Sequence, residues 1–180
     1  MKFLKAGLLA LLLCVGQSYA ADLQVSADPE RAVIENEEDL KNPHFAKELA
    51  CLTKNIYYEA GSESFEGMVA VANVTVNRMN DERYPKTICG VVQQKTVIAQ
   101  KLVCQFSWVC ERRISLSTLS EKYLEALRVA KLVLLEGYHI PRLENSFNFH
   151  ATHVSPGWRL KRVAKIGNHV FYADRNANPR

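Results

Sequence analysis

The sequence predicts an α+β fold, with several helices around a core and a small antiparallel sheet toward the C-terminus. Three observations predict it. Apolar residues recur at helical spacing through Phe45, Leu49, Leu52 and Ile56, and again through Tyr123, Leu127, Ala130 and Leu134. Beyond Pro141 the period changes to two, where Phe147, Phe149 and Ala151 alternate with Ser146, Asn148, His150 and Thr152. Gly167-Asn168 then separates two short β-prone runs, the pattern of a tight hairpin.

Residues 1–20 read as an export signal. Lys2 and Lys5 precede an apolar run from Ala6 to Val15, and Ser18-Tyr19-Ala20 offers a small-x-small cleavage site. The run is too short to span about 30 Å of hydrocarbon, so the expectation is an exported protein, in the periplasm or at the cell exterior, with no integral membrane segment once the signal is removed. Cys14 does not fit a lipid attachment site, because Leu13 before it is bulky. Residues 21–43 carry Glu35, Glu37, Glu38 and Asp39 without a sustained apolar period, which predicts a flexible acidic leader. A single catalytic-sized domain is expected over 44–176, with a short tail at 177–180.

Within that domain the spacing predicts a first helix from about His44 to Ala60, ended by a left-handed Gly61. A second helix is predicted from about Phe65 to Met79, where Met68, Val69, Val71, Ala72, Val74 and Val76 imply burial on most sides. Pro85 and Gly90 break the chain around a short helical turn between Thr87 and Gln94. Ser120 is placed to cap a helix that runs until Gly137. A half-buried strand follows at Ser146–Thr152, then a hairpin of Val163–Ile166 and His169–Tyr172.

Removing Lys2 and Lys5 from the 23 basic residues leaves 21 against 19 acidic ones, so charge points neither to nucleic acid nor to an anionic membrane. Cys51, Cys89, Cys104 and Cys110 form an even set in an exported chain, which favours two disulfides. Of the three possible pairings we take Cys89 with Cys110 and Cys51 with Cys104, although spacing does not fix connectivity. A thiolate nucleophile is the competing use of these residues.

Helical geometry sets Glu59 within roughly 50° of the centre of the first apolar stripe. A carboxyl in the last turn of that helix, desolvated and beside unpaired carbonyls, is disfavoured in its charged form. Those conditions make a general acid that stays protonated near neutral pH. A Glu that reaches the surface from the edge of the stripe is the competing reading. Glu63 stands one helical turn further on and is the local candidate for a second carboxylate; capping the second helix is its alternative role.

His150, His153 and His169 raise a metal site, but residues three apart on a strand point to opposite faces, and no His-Glu-x-x-His run exists. No metal and no cofactor are expected, and neither a phosphate-cradling loop nor a Gly-x-Ser-x-Gly elbow occurs. In Gln105-Phe106-Ser107-Trp108 two polar side chains alternate with two aromatic ones. Read as a strand or tight turn, Phe106 and Trp108 pack while Gln105 and Ser107 point outward, suited to sugar hydroxyls or acetamides or to a plain surface hairpin. Trp158 and Tyr172 either stack on sugar rings or fill the core.

Asn55-Ile56-Tyr57-Tyr58-Glu59-Ala60 with Glu63, Glu66-Gly67, Ala70-Val71-Ala72 and Val76-Asn77-Arg78 resembles the cell wall hydrolase family that includes the spore cortex-lytic enzymes. Tyr84-Pro85, Ile88-Cys89-Gly90-Val91-Val92, Gln105-Phe106-Ser107-Trp108 with Cys110, His153, Pro156, Trp158 and Ile166 to Tyr172 continue the match in order, over roughly residues 46–172. The resemblance implies a lysozyme-like α+β fold that cuts peptidoglycan glycan strands, with Glu59 as the catalytic acid. The Gln105-Phe106-Ser107 segment also looks like the glycan-facing turn of lytic transglycosylases and resuscitation-promoting factors. Gln105, Ser107, His153 and Tyr172 are accordingly the expected sugar-positioning residues.

Two departures stand out: Gly61-Ser62 precede Glu63 where the family often has Arg-Gly, and Ser64 stands where Pro is usual. The expected reaction is a lytic transglycosylation in which Glu59 acts as acid and then as base. The alternatives are a hydrolytic muramidase using Glu59 and Glu63, a metal-dependent peptidoglycan amidase, and a non-catalytic wall-binding module. Peptidoglycan is the expected partner, with targeting left to this domain or to an envelope regulatory or targeting protein.

Overall fold

A computed structural model describes residues 41–111 and 116–174. The expected signal at 1–20, the leader up to residue 40 and the tail at 177–180 lie outside the described residues. Helix α1 spans Pro43–Ala60, α2 Phe65–Asn80, α3 Ile88–Val92 and α4 Glu121–Leu135. Strands β1 (Lys95–Ile98) and β2 (Lys101–Cys104) form a hairpin, and β3 (Ser146–Ala151), β4 (Lys161–Ile166) and β5 (His169–Ala173) form the C-terminal sheet. The α+β class is as the sequence predicts.

Local chemistry sets the helix starts. Asn42 Oδ1 accepts from the backbone N–H groups of His44 and Phe45, with Pro43 at the first helical position. Ser64, Thr87 and Ser120 cap α2, α3 and α4 in the same manner. Gly61 departs from expectation: it is right-handed (φ −64°), and its N–H bonds to the Tyr57 carbonyl. Glycine suits the position for steric reasons, because a Cβ there would collide with the Tyr57 carbonyl oxygen.

The core sits where α1 meets α2, α3 and α4. Leu52, Ile56, Val69, Val71 and Val74 are fully buried, and α4 contributes Ala126, Val129, Ala130 and Val133. The buried face of α4 is thus turned by about a residue from the predicted one. Tyr123, Leu127 and Leu134 flank it half-buried, since small residues at the centre let the helices approach closely.

The sheet has the order β3-β5-β4, antiparallel throughout. The predicted turn at Gly167-Asn168 joins β4 to β5, with Gly167 at φ +54°. Ser146, expected on the polar face of β3, is buried because a register shift lies between it and Asn148. Side chains of α2 fix the sheet to the helices. Asn77 Nδ2 donates to the carbonyls of Leu143 (2.7 Å) and Ser146 (3.0 Å), and Arg78 Nε donates to that of Phe147 (2.7 Å).

The disulfides correct the expected pairing: Cys51 bonds to Cys89, and Cys104 to Cys110. The first ties α1 to α3, and the second closes the loop that carries Gln105 to Val109. The β1–β2 hairpin, which the sequence reading did not foresee, brings Cys104 back beside that loop and so favours the short-range partner.

Candidate active site

Glu59 lies at the end of α1, three residues beyond the fully buried Ile56 on the same stripe. It is half-buried and lines a depression of about 230 Å³ with Tyr57, Tyr58, Gly61, Ser62, Glu63 and Lys122. Tyr58 also lines a larger depression of about 760 Å³, together with Lys54, Trp108 and Glu111. The two hollows share that wall, and Tyr58 stacks on Trp108 with ring centroids 4.6 Å apart. Such an open, aromatic-walled cleft is suited to an extended polymer.

Burial raises the Glu59 pKa from 4.5 to about 7, with Arg78 pulling it down and Glu111 pushing it up. The carboxyl is therefore protonated below neutral pH and begins to ionise as neutrality is reached. It can protonate a leaving oxygen and then, once ionised, accept a proton back.

Below Glu59 runs a buried polar chain. Trp108 Nε1 donates to Asn55 Oδ1 (3.1 Å), Asn55 Nδ2 to Thr75 Oγ1 (3.1 Å), and Thr75 Oγ1 to the Val71 carbonyl (3.1 Å). Asn55 and Thr75 are fully buried, so these bonds hold the Gln105–Trp108 segment against α1 and α2 at one register. Phe106 is buried while Gln105 and Ser107 are exposed, and Ser107 opens a 3₁₀ turn, Ser107–Val109.

Arg78 is the second buried centre. It is 3% exposed, and its guanidinium carbon lies 5.4 Å from the Phe106 ring centroid and 5.6 Å from that of Tyr84. Burial lowers its pKa, opposed by Tyr84 and by Glu59, and an arginine so placed still keeps its charge. Nη1 and Nη2 lie 3.0 and 3.2 Å from the Gln105 amide, and two donors at those distances require its oxygen to be the atom that faces them.

Glu63 lines the same depression as Glu59 but is committed elsewhere. Oε2 accepts from the backbone N–H of Asn168 (3.0 Å) and Oε1 from the Asn168 side chain (3.0 Å). Partial burial pushes its pKa up, but the two Asn168 bonds and the nearby His169 outweigh that and hold it below the ordinary carboxylate value. It does not cap α2, a task Ser64 performs.

His153 is exposed in the turn after β3. Tyr172, on β5, accepts or donates through its hydroxyl at 3.0 Å from His150 Nε2 and packs edge-on against Trp158. Among the described residues no hydrogen bond or ring contact joins His153 or Tyr172 to Glu59. The structure thus groups Glu59 with Gln105 through Arg78, and sets Tyr172 in a separate aromatic cluster. His169 is mostly buried, its pKa lowered by desolvation, against Glu63 and with His150. Among the described residues no group of three His, Cys, Asp or Glu side chains gathers to hold a metal.

Sequence reasoning missed Arg78, Asn55 and Glu111 as parts of the site. The available signal was a polar side chain on an otherwise apolar helix, Asn55 within the α1 stripe and Arg78 at the end of the valine-rich α2.

A Cell Wall Hydrolase family model matches residues 62–172, beginning three residues after Glu59. The chain is similar to the spore cortex-lytic enzyme of Bacillus subtilis, 29% identical over 126 residues that make up 69% of this chain and 37% of that protein. The spore cortex-lytic enzyme of Oceanobacillus iheyensis is likewise 29% identical over 126 residues, 69% of this chain and 41% of that protein. The chain thus spans about two fifths of the length of these curated relatives. In fold it is similar to the catalytic domain of germination-specific lytic transglycosylase SleB from Bacillus anthracis, with a TM-score of 0.55 and 24% identity, over 73% of this chain and 98% of that one. The catalytic domain of the Bacillus cereus SleB protein gives a TM-score of 0.54 at 23% identity, over 73% and 93%.

Proposed function

This chain belongs to the cell wall hydrolase family, and from that premise we propose that it cuts peptidoglycan glycan strands between N-acetylmuramic acid and N-acetylglucosamine as a lytic transglycosylase acting outside the cytoplasm. The observation that carries the reading is the half-buried Glu59, its pKa raised to about 7 in an open, aromatic-walled cleft.

Protonated Glu59 gives its proton to the glycosidic oxygen, and the bond from that oxygen to the muramic C1 breaks with oxocarbenium character. The resulting carboxylate removes the proton of the muramic 6-hydroxyl, whose oxygen closes on C1. The product is a 1,6-anhydro end, Glu59 recovers its proton and no water is consumed. One carboxyl suffices because the nucleophile belongs to the same sugar. Gln105 and Ser107, exposed on the loop that Trp108 ties to α1, are assigned to position sugar, with His153 and Tyr172 assigned to more distant parts of the strand.

Hydrolysis would call for a second carboxylate to activate water. Glu63, with both oxygens bonded to Asn168, is poorly placed to do so. Glu111 is the carboxylate whose charge raises the Glu59 pKa, and it favours a hydrolytic route through Glu111 as the second reading.

Digestion of purified peptidoglycan, with the soluble fragments read by mass, tests the proposal. Anhydro ends, lighter by one water than reducing ends, are expected from the native protein and are lost in Glu59→Gln. Exclusively reducing ends would overturn transglycosylation. Released peptides sensitive to chelators would identify an amidase, and binding without any release would identify a wall-binding module.

A further inference from the structure

Among the described residues that line the depression beside Glu59 there are two carboxyl groups, Glu59 and Glu63, and one cation, Lys122. Glu59 is protonated below neutrality, and both oxygens of Glu63 are spent on Asn168. Lys122 Nζ donates to Ser62 Oγ at 2.7 Å, and among the described residues no carboxylate pairs with it. An ammonium has three donors and no acceptor. The bond to Ser62 thus directs the group and leaves two N–H donors on an exposed side chain.

Local helix chemistry does not call for a lysine there. Lys122 is the second residue of α4, where the positive end of the backbone dipole favours an acid and disfavours a cation. Its partner lies 60 residues away in the turn between α1 and α2. Ser62 belongs to the Gly61-Ser62 pair, so the bond rests on a residue outside the usual family pattern. A charge set against its own helix, tied to the rim of the site and balanced by no acid, breaks a local rule at a place where a ligand would repay it.

We infer that Lys122, directed by Ser62, is a specificity-determining residue that pairs with a carboxylate on the side arm of the muramic sugar, so that strands with a charged arm are favoured over strands with a neutral one. The arm is a lactyl ether. It ends either in a free carboxylate or in an amide to a peptide that carries carboxylates of its own. A carboxylate accepts from both remaining N–H groups and supplies the partner the ammonium lacks. The identity of the ligand rests on the proposed glycan-cleaving function; the placement of the cation does not.

The test measures binding and so does not depend on turnover. In a Glu59→Gln background, calorimetry compares soluble tetrasaccharides of alternating N-acetylglucosamine and N-acetylmuramic acid whose lactyl groups are free, capped as neutral methylamides, or extended by an alanyl-glutamate dipeptide. A charged form is expected to bind about fivefold more tightly than the methylamide, the size of an exposed charge pair, and to lose that advantage in high salt. Whichever charged form binds better identifies the source of the carboxylate. Adding Lys122→Met is expected to abolish the preference and to leave affinity for the methylamide unchanged, Lys122→Arg to keep the preference, and Ser62→Ala to reduce it. Because Lys122 is exposed, denaturation midpoints should stay near native. A bond that merely held α4 to the turn would instead lower the midpoint and weaken all three ligands alike.

Equal affinity for the three glycans, an unchanged preference in Lys122→Met, or no binding to any of them would overturn the inference. A clear preference from a protein that releases no fragments would leave it standing and count against the cleavage reading alone. Fragment release with no preference for a charged arm would do the reverse.

Discussion

Trp108 donates its indole N–H to Asn55 Oδ1 at 3.1 Å, and that bond fastens the loop carrying Gln105 to the helix carrying Glu59. Asn55 is one turn before Glu59 and fully buried, so its oxygen has no water to turn to if Trp108 is removed. Trp108→Phe keeps the stack on Tyr58 and deletes only the donor. It is expected to cost about 1–3 kcal/mol, the penalty of an orphaned buried acceptor, read as a lower denaturation midpoint. Turnover should fall further than stability, because the loop loses its register against Glu59. An unchanged midpoint would show that the bond does not contribute.

The pH dependence follows from Glu59. Its pKa is near 7 when folded and about 4.5 otherwise, so the acid form is present below 7 and glycan release is expected to decline as pH rises through 7. Stability moves in the same direction. The folded state holds the proton more tightly, so the stabilisation is complete below 4.5 and is lost between 4.5 and about 7. Glu59→Gln cannot ionise and is expected to be more stable than the native chain above pH 7, by up to about 3 kcal/mol. Glu111→Gln removes a like charge and should shift the activity limb to lower pH. Denaturation midpoints and rate profiles across pH check both; a limb near 4.5 in the native protein would refute the burial of the acid.

Glu63 is a clamp on the β4–β5 turn, and a Cβ at Gly167 would collide with its Oε2. With its pKa lowered, the contribution of Glu63 is present above the ordinary carboxylate pKa and is lost as pH falls through the depressed folded value. Glu63→Gln is expected to weaken the turn and to leave the product type unchanged. Gly167→Ala should do more harm, since it adds a positive-φ penalty to the collision. If Glu63→Gln stops turnover while the fold persists, Glu63 belongs to the chemistry and the clamp is not its main role.

Much of this was legible in the sequence because it depends on periodicity and caps. The stripe of α1, the Ser120 cap of α4 and the Gly167-Asn168 turn are local features, and each falls within a residue or two of its predicted place. The rest depends on what meets across space. Gly61 reads as a left-handed stop by composition, yet its use is to let the backbone close on Tyr57. The predicted α4 face lies about a residue off the buried one, because the large apolar side chains flank the contact while Ala126 and Ala130 form it. Arg78 stands out locally only as a charge at the end of an apolar helix, and it is the fold that brings Phe147, Tyr84 and Gln105 around its guanidinium.

The two disulfides should separate in their effects. Cys51–Cys89 joins helices across a sequence separation of 38 and so constrains a long stretch of unfolded chain, worth about 2–4 kcal/mol. Replacing both of its cysteines with serine is expected to lower the denaturation midpoint markedly while leaving the kinetics of the surviving folded protein near native. Cys104–Cys110 spans a separation of 6, so it restricts the unfolded chain less, but it encloses Gln105, Ser107 and Trp108. Its double serine variant is expected to keep most of its stability and to show a raised KM, because the loop that presents the Gln105 amide is no longer closed at both ends. Glu59 is outside that loop and Trp108 still reaches Asn55, so kcat should change less than KM. A variant that loses kcat with an unaltered KM would place the loop's contribution in the chemical step, and binding of the strand would then rest on the aromatic wall of Tyr58 and Trp108.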